Sequence, residues 1–254
     1  MIESMSLSNF WETYPTRIKK LPFTVHFDFG VESLGEMVLR RYPHTMVLNI
    51  PAMIIDTNGF PVSSEMSRID RIKNGFSPKN WDFRIIGMLI GGGGVKFAFC
   101  MTNEAAEDVE IIVKFLMGTH ESTTKYDYEM YWGDNFLFYA ENFSPCIHER
   151  NWLANKHVVA NLQSEGEGFT QPRDIDFYCV FASEKNIRQA ANYLEEIGFN
   201  EIAVTRRSAT DYQLHLTFNA VPHFKWINEI TTEIIDTLHG SDGHFDGWGS
   251  EVLP

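Results

Sequence analysis

Residues 173–198, RDIDFYCVFASEKNIRQAANYLEEIG, place a strand pattern directly before a helix pattern. At the start of this stretch every second side chain is apolar, as in a strand with one buried face. These apolar residues are Ile175, Phe177, Cys179 and Phe181. From Ser183, a favourable N-cap residue, apolar side chains recur at spacings of three and four, and Gly198 follows as a helix end. We therefore expect a strand over residues 173–181 and a helix directly after it.

The sequence after Gly198 continues the same mixture of strands and helices. Two strands are predicted over residues 201–207 and 212–220. A helix is predicted to begin at Pro222, where the missing N–H of proline costs nothing, and a strand over residues 244–252 follows it. The order strand, helix, strand, strand, helix, strand is the ferredoxin-like split βαβ pattern.

The N-terminal half shows the same order of patterns. Strands are predicted over residues 42–50, 81–90, 95–101 and 125–131. One helix is predicted from near Pro61, between the first two strands, and another over residues 103–117, before the last strand. Residues 21–29 form one extra strand before them. The predicted fold class is therefore α+β, with two ferredoxin-like (βαββαβ) domains that have antiparallel sheets. The domains are predicted to cover residues 1–144 and 145–254, and a helix opening at Ser144-Pro145 links them.

The charge balance excludes one class of function. The chain has 254 residues, with 21 Lys and Arg against 34 Asp and Glu, and a formal net charge of −13. Binding to a nucleic-acid backbone depends on basic side chains that neutralise phosphates, so we expect no direct nucleic-acid binding. Residues 151–254 carry 7 basic and 15 acidic side chains, net −8, against −5 for residues 1–150. We therefore expect a basic partner to bind the more acidic C-terminal half.

The sequence predicts a cytoplasmic protein. Its first ten residues have neither a basic segment nor an apolar one, and no apolar run approaches the roughly 20 residues that span a bilayer. We therefore expect no signal peptide and no contact with a membrane. The three cysteines, Cys100, Cys146 and Cys179, are far apart and without CxxC spacing, and are expected to be reduced, buried and inert.

No catalytic or metal motif stands out, so no cofactor and no catalytic residue are predicted. Three weaker patterns leave alternatives open. The run Gly91–Gly94 is a flexible hairpin turn or a phosphate-binding loop, and His26 and Asp28 on one strand face are solvent-exposed residues or a dyad. The segment HGSDGHFD, residues 239–246, is an ordinary turn or a zinc or manganese site.

Two segments of the C-terminal half could be either structural or recognition elements. Arg173-Asp174-Ile175-Asp176 reads as an ion-pair cluster at the start of a strand or as a recognition patch. In Phe245-Asp246-Gly247-Trp248-Gly249 the tryptophan either fills the core or stands exposed as a binding anchor, a role in which tryptophan is enriched.

These segments carry a resemblance to a known family. TQPRDIDFYCVF, a helix ending in EEIGF and the closing HFDGWGSEV resemble the bacterial regulator of ribonuclease activity B family over about residues 145–254. The resemblance implies a ferredoxin-like domain without enzymatic activity that binds an endoribonuclease and lowers its activity. The familiar member carries a long acidic tail beyond the DGWG motif, whereas this sequence ends at Pro254, so capture by such a tail is not expected here.

The N-terminal half resembles another bacterial family. Trp11-x-x-Tyr14-Pro15, the strand at residues 22–29 and Phe136-x-x-Tyr139-x3-Phe143-Ser144-Pro145 are similar to the domain of unknown function 695, which often precedes the ribonuclease-regulator module. That family usually has tryptophan at the position of Phe136 and Leu-Tyr-Pro at the position of residues 143–145. The resemblance implies no activity for this half.

The sequence thus predicts a bacterial regulatory protein that binds a basic segment of a protein partner, such as a ribonuclease. The predicted partner surface consists of four carboxylates and one aromatic residue: Asp174, Asp176, Asp242, Asp246 and Trp248. An alternative is a small-molecule-binding protein or an enzyme with a cleft between sheets, in which His26, Asp28 and the glycine run would take part. Self-association through an exposed sheet edge, giving a homo-oligomer, is a third reading.

Overall fold

The structure is a computed structural model that describes residues 7–8, 10–31, 34, 40–76, 81–118, 124–133, 135–208 and 211–253. The chain divides into two compact units, residues 1–145 and 146–254. No helix among the described residues is long and apolar enough to cross a membrane.

The C-terminal unit is a ferredoxin-like domain preceded by one long helix. Its elements are α5 (Ile147–Ser164), β7 (Arg173–Phe181), α6 (Glu184–Glu196), β8 (Asn200–Ser208), β9 (Asp211–Ala220), α7 (Phe224–Leu238) and β10 (Gly243–Gly249). The strands form an antiparallel sheet in the order β10-β7-β9-β8. The predicted α+β class and strand order of this half are confirmed.

One face of this sheet is packed against the helices. The alternating apolar residues of β7 lie in the core with Leu214 and Leu216 of β9, Ile187 and Leu194 of α6, and Ile227 and Ile234 of α7. Because side chains alternate across a strand, Asp174, Asp176 and Tyr178 of β7 lie on the opposite face, away from these helices.

Three element ends differ from their predicted positions. Helix α5 begins after Cys146, whose backbone N–H donates to Glu149 Oε2 at 2.7 Å, and not at Ser144-Pro145. Helix α7 begins after His223 rather than at Pro222. Strand β10 ends at Gly249 because the following residues bond elsewhere: the Leu253 N–H donates to Glu167 and its carbonyl accepts from the Gly168 N–H.

The N-terminal unit is built on a second ferredoxin-like core. Its elements are β1 (Trp11–Ile18), β2 (Leu21–Asp28), β3 (His44–Pro51), α1 (Ser63–Gly75), β4 (Phe83–Gly91), β5 (Gly94–Met101), α2 (Asn103–Glu107), α3 (Val109–Gly118), β6 (Asp127–Tyr131) and α4 (Asn135–Asn142). The sheet order is β1-β2-β4-β5-β3-β6, so the last four strands repeat the ferredoxin-like order.

The N-terminal prediction was incomplete in three places. Two extra strands, β1 and β2, form a hairpin beside β4, where one extra strand was expected. The helix predicted over residues 103–117 is broken at Asp108 into α2 and α3. Helix α4 was not predicted.

The glycine run forms the hairpin turn that was expected, and its backbone is hydrogen-bonded to neighbouring loops. Gly91 and Gly94 oppose each other in the ladder, and the two glycines between them have positive φ angles of 58° and 93°. The Gly93 N–H donates to the Gly59 carbonyl, and the Gly93 carbonyl accepts from the Ala52 N–H. A Cβ on Gly94 would lie 2.6 Å from the Ile50 carbonyl oxygen. The run therefore joins two strands under steric constraint and does not open a helix, as a phosphate loop would.

The cysteines differ in accessibility. Cys100 and Cys179 are buried, whereas Cys146 is exposed, so the prediction of burial is wrong for Cys146. It lies at the N-terminal end of α5, where the chain passes between the two units. Burial raises the pKa of the Cys179 thiol to about 12 and also raises the pKa of the Cys100 thiol.

We expect a thiol-specific reagent at about pH 8 to modify Cys146 in the native chain and to leave Cys100 and Cys179 unmodified, because the reacting sulfur must be reachable and Cys146 alone of the three is exposed. Peptide mass spectrometry after brief labelling measures this. A Cys146→Ser variant should take up almost no label until it is unfolded. Equal labelling of all three cysteines in the native protein would contradict the burial described above.

Candidate functional site

Trp248 of the DGWG segment lies in the core. The residue is 9% exposed and belongs to the apolar cluster of the C-terminal unit. The indole Nε1–H donates to Asn155 Oδ1 at 2.8 Å. The reading of Trp248 as an exposed anchor is therefore wrong, and the core-filling alternative is correct.

A buried polar network holds this tryptophan against two helices. The Asn155 amide of α5 donates from Nδ2 to Thr231 Oγ1 and Asn228 Oδ1 of α7, each at 2.9 Å. Asn151 donates to the same threonine hydroxyl at 2.8 Å, and the hydroxyl donates to the Ile227 carbonyl. Asn151, Asn155 and Thr231 are all buried. Buried amides without partners are costly, so the network fixes how α5, α7 and β10 pack together.

A groove of about 460 Å³ runs above this network, between α5 and β10. Its apolar walls come mainly from the two helices: Ile147, Ala154, Val158 and Ile235. The residues from His244 to Trp248 form the strand side. The groove carries charge of both signs, from Arg150 on α5 and Asp246 on β10.

A β-bulge sets the position of Asp246. Phe245 lies opposite Cys179 and Gly247 lies opposite Tyr178, so Asp246 has no opposite residue on β7. Gly247 has a φ of +136°, which favours glycine. Bulges commonly redirect a side chain at a sheet edge, and here Asp246 is exposed and lines the groove.

Asp174 and Asp176 lie on the other face of the sheet. Asp174 accepts a hydrogen bond from Asn219 Nδ2 at 2.8 Å, and Asp176 lies 2.7 Å from His215 Nε2. The His215 ring also stacks on Tyr178, with centroids 4.9 Å apart. These two carboxylates therefore form a polar patch with β9 that is separate from the groove holding Asp246 and Trp248.

The structure divides the remaining histidines and aspartates of the tail between several places. Asp242 is exposed in the turn before β10, His244 lines the groove, and His239 lines a second cavity of about 470 Å³ between α6 and α7. Within the part of the chain that the structure describes, no group of three or more His, Cys, Asp or Glu side chains could hold a metal ion. The residues of the proposed tail site are thus not gathered together.

Arg173 forms the ion pair expected at the start of β7, but with a different carboxylate. Its guanidinium lies 2.5 Å from Glu167 Oε2 and donates to Ser250 Oγ at 2.7 Å. Both Arg173 and Glu167 are buried. The pair ties the turn before β7 to the segment after the DGWG motif. Arg173, Asp174 and Asp176 therefore do not act as one cluster.

The residues of the alternative reading, His26, Asp28 and the glycine turn, do not come together. His26 Nε2 lies 2.8 Å from Thr13 Oγ1, whereas Asp28 is fully buried and accepts from the backbone N–H groups of Leu7 and Ser8. Burial raises the pKa of Asp28 despite these bonds. Gly91 pairs with Phe23 at the other end of β2, roughly 17 Å from Asp28 at the usual rise of a strand.

Comparisons with known proteins support one half of the sequence resemblance. Residues 152–250 match the model of the family described as regulator of ribonuclease activity B, which confirms the predicted similarity of the C-terminal part. The similarity of the N-terminal half to the domain of unknown function 695 is not tested and stays a prediction. A search of curated proteins gave no match.

The solved structures that match include a crystal structure described as that of a proposed glycine cleavage system transcriptional repressor. It is 9% identical, with 82% of this chain and 98% of that chain covered and a TM-score of 0.24. A similarity this low supports no conclusion about fold or function.

Sequence reasoning missed two parts of the site. The polar network was missed because Asn151 and Asn155 look like ordinary polar residues of a helix. Their spacing of four, which puts both on one helix face, was the available signal. The groove depends on the packing of α5 beside β10, and no local pattern in the sequence reports that packing.

Proposed function

We propose that this chain is a non-enzymatic regulator that binds a basic segment of an endoribonuclease in the bacterial cytoplasm and lowers its activity. The observation that carries the proposal is the match of residues 152–250 to a family of regulators of ribonuclease activity. The net charge of −8 on residues 151–254 supports a basic partner, because opposite charges speed association and favour the correct partner.

The groove between α5 and β10 is the surface we assign to this partner. It combines apolar walls with an exposed carboxylate, Asp246, and lies over the packed DGWG motif. The patch at Asp174 and Asp176 is a secondary contact in this proposal, since both carboxylates already accept hydrogen bonds from β9. Trp248 acts indirectly, by holding β10 against α5.

The test is an RNA-cleavage assay with purified endoribonuclease from the host and increasing amounts of the full chain. The proposal expects cleavage to slow for an endoribonuclease that keeps its basic RNA-binding segment. The matched control is the same enzyme without that segment, which the chain should leave unaffected. Unchanged cleavage by the intact enzyme, or equal inhibition of both forms, would refute the proposal, and cleavage of RNA by the chain alone would show it to be an enzyme.

A further inference from the structure

Strand β10 presents an open edge. It stands at the end of the sheet order, and within the described ranges its only neighbouring strand is β7. The backbone N–H and C=O groups on the outer side of an edge strand can pair with another extended chain. Residues 244–248 of the same strand line the groove, whose other wall is α5.

The groove offers side-chain sites next to that edge. Ile147 is 60% exposed, Ala154 is also exposed, and Val158 and Ile235 line the same space. An added strand presents alternate side chains to opposite sides, so every second residue would face these apolar walls. The polar side chains at the base of the groove are already hydrogen-bonded to each other in the Asn155 network, so they do not require a polar ligand.

Charge distinguishes a basic partner from a second copy of this chain. If the β10 edges of two copies paired, they would bring two Asp246 carboxylates to one edge, and like charges placed in this way oppose pairing. A segment with lysine or arginine would instead place a cation beside Asp246. The negative charge of this half of the chain adds to that preference.

We infer that β10 binds an extended, basic segment of its protein partner as an additional strand. The backbone of the segment pairs with the open edge, its alternate apolar side chains contact Ala154, Val158 and Ile235, and a basic side chain pairs with Asp246. This inference rests on the proposed function, and it specifies the conformation and the side-chain pattern that the partner segment must have.

The test uses fluorescently labelled synthetic peptides and the full chain, with binding followed by fluorescence anisotropy. The probe is a short peptide that alternates arginine and valine. One comparison peptide has glutamate in place of arginine, and another has N-methylated backbone amides that cannot donate hydrogen bonds. We expect saturable binding of the first peptide and at least about tenfold weaker binding of the other two, a loss of about 1.4 kcal/mol or more.

Two alanines of α5 supply matched variants. Ala154→Trp fills the groove, whereas Ala160→Trp adds the same side chain at another exposed position of α5 outside the groove. We expect at least about tenfold weaker binding for the first variant and less than about twofold change for the second. Asp246→Asn should weaken binding of the arginine peptide several-fold.

Several results would overturn the inference. They are equal affinity for the N-methylated peptide, no effect of Ala154→Trp, and no saturable binding up to about 1 mM peptide. An Asp174→Asn, Asp176→Asn double variant serves as the opposite test. If it lost binding while the Ala154→Trp variant bound normally, the binding site would lie on the other face of the sheet. The ribonuclease assay is independent of these peptides, so inhibition without peptide binding would refute the strand addition alone.

Discussion

Replacing Trp248 with alanine should lower the free energy of unfolding of the C-terminal unit by about 3–5 kcal/mol, the usual cost of truncating a buried aromatic side chain. The indole lies in the core and donates a hydrogen bond to Asn155, so its removal leaves a cavity and an unpaired buried acceptor. Because α5, α7 and β10 all meet in this network, we expect the loss to loosen the groove as well.

Urea unfolding of the full chain, followed by circular dichroism, measures this effect. Trp248→Phe keeps an aromatic ring but loses the N–H donor, and it should cost about 1–3 kcal/mol. The Asn155→Ala variant should lose a similar amount of stability, because it removes the oxygen that accepts the Trp248 hydrogen bond. A Trp248→Ala variant within about 1 kcal/mol of the wild type would show that the residue is not a core residue and would restore its role as an exposed anchor.

The Glu167→Gln variant should lose about 3–5 kcal/mol of stability, since it leaves the Arg173 charge buried without its counter-ion. Glu165→Gln is the matched control, because Glu165 is exposed in the same turn and should change stability by less than about 0.5 kcal/mol. Chemical denaturation near neutral pH measures both variants. Equal stability of the two would contradict a structural role for the Glu167–Arg173 pair.

The same pair predicts a pH dependence. Burial works to raise the pKa of Glu167, but hydrogen bonds from the Leu253 and Phe169 backbone N–H groups and the Arg173 guanidinium outweigh it and lower this pKa. A lowered folded-state pKa contributes stability above the unfolded value, about 4.3, and that contribution is lost as the pH falls through the folded-state value. The advantage of wild type over Glu167→Gln should therefore shrink below about pH 4.3. A constant difference from neutral to acidic pH would show that the Glu167 carboxyl is not stabilised in its charged form.

The sheet of the C-terminal unit could be predicted because its signals are local. Strand β7 alternates cleanly, and Gly198 marks the end of the helix region that follows. Strand β1 was missed because Pro15 lies inside it and proline argues against a strand. The residue is tolerated because β1 stands at the edge of its sheet, the position in a sheet to which proline is mostly confined.

The site was harder to predict, since its contacts join distant parts of the sequence. Trp248 and Asn155 are 93 positions apart, and a tryptophan between glycines fits both a buried and an exposed position. The candidate partners of Arg173 could have been limited further from the sequence. Neighbouring residues of a strand point to opposite faces, so Asp174 could not share the buried side of Arg173, and the partner had to come from outside the strand.

Hydrogen–deuterium exchange of the full chain, with and without the endoribonuclease proposed as its partner, tests the central claim most directly. If the partner binds in the groove and pairs with β10, amide exchange should slow in residues 243–249 and in the exposed face of α5, with little change in β9. Protection confined to β7 and β9 around Asp176 and His215, or no protection in the C-terminal unit, would contradict the account.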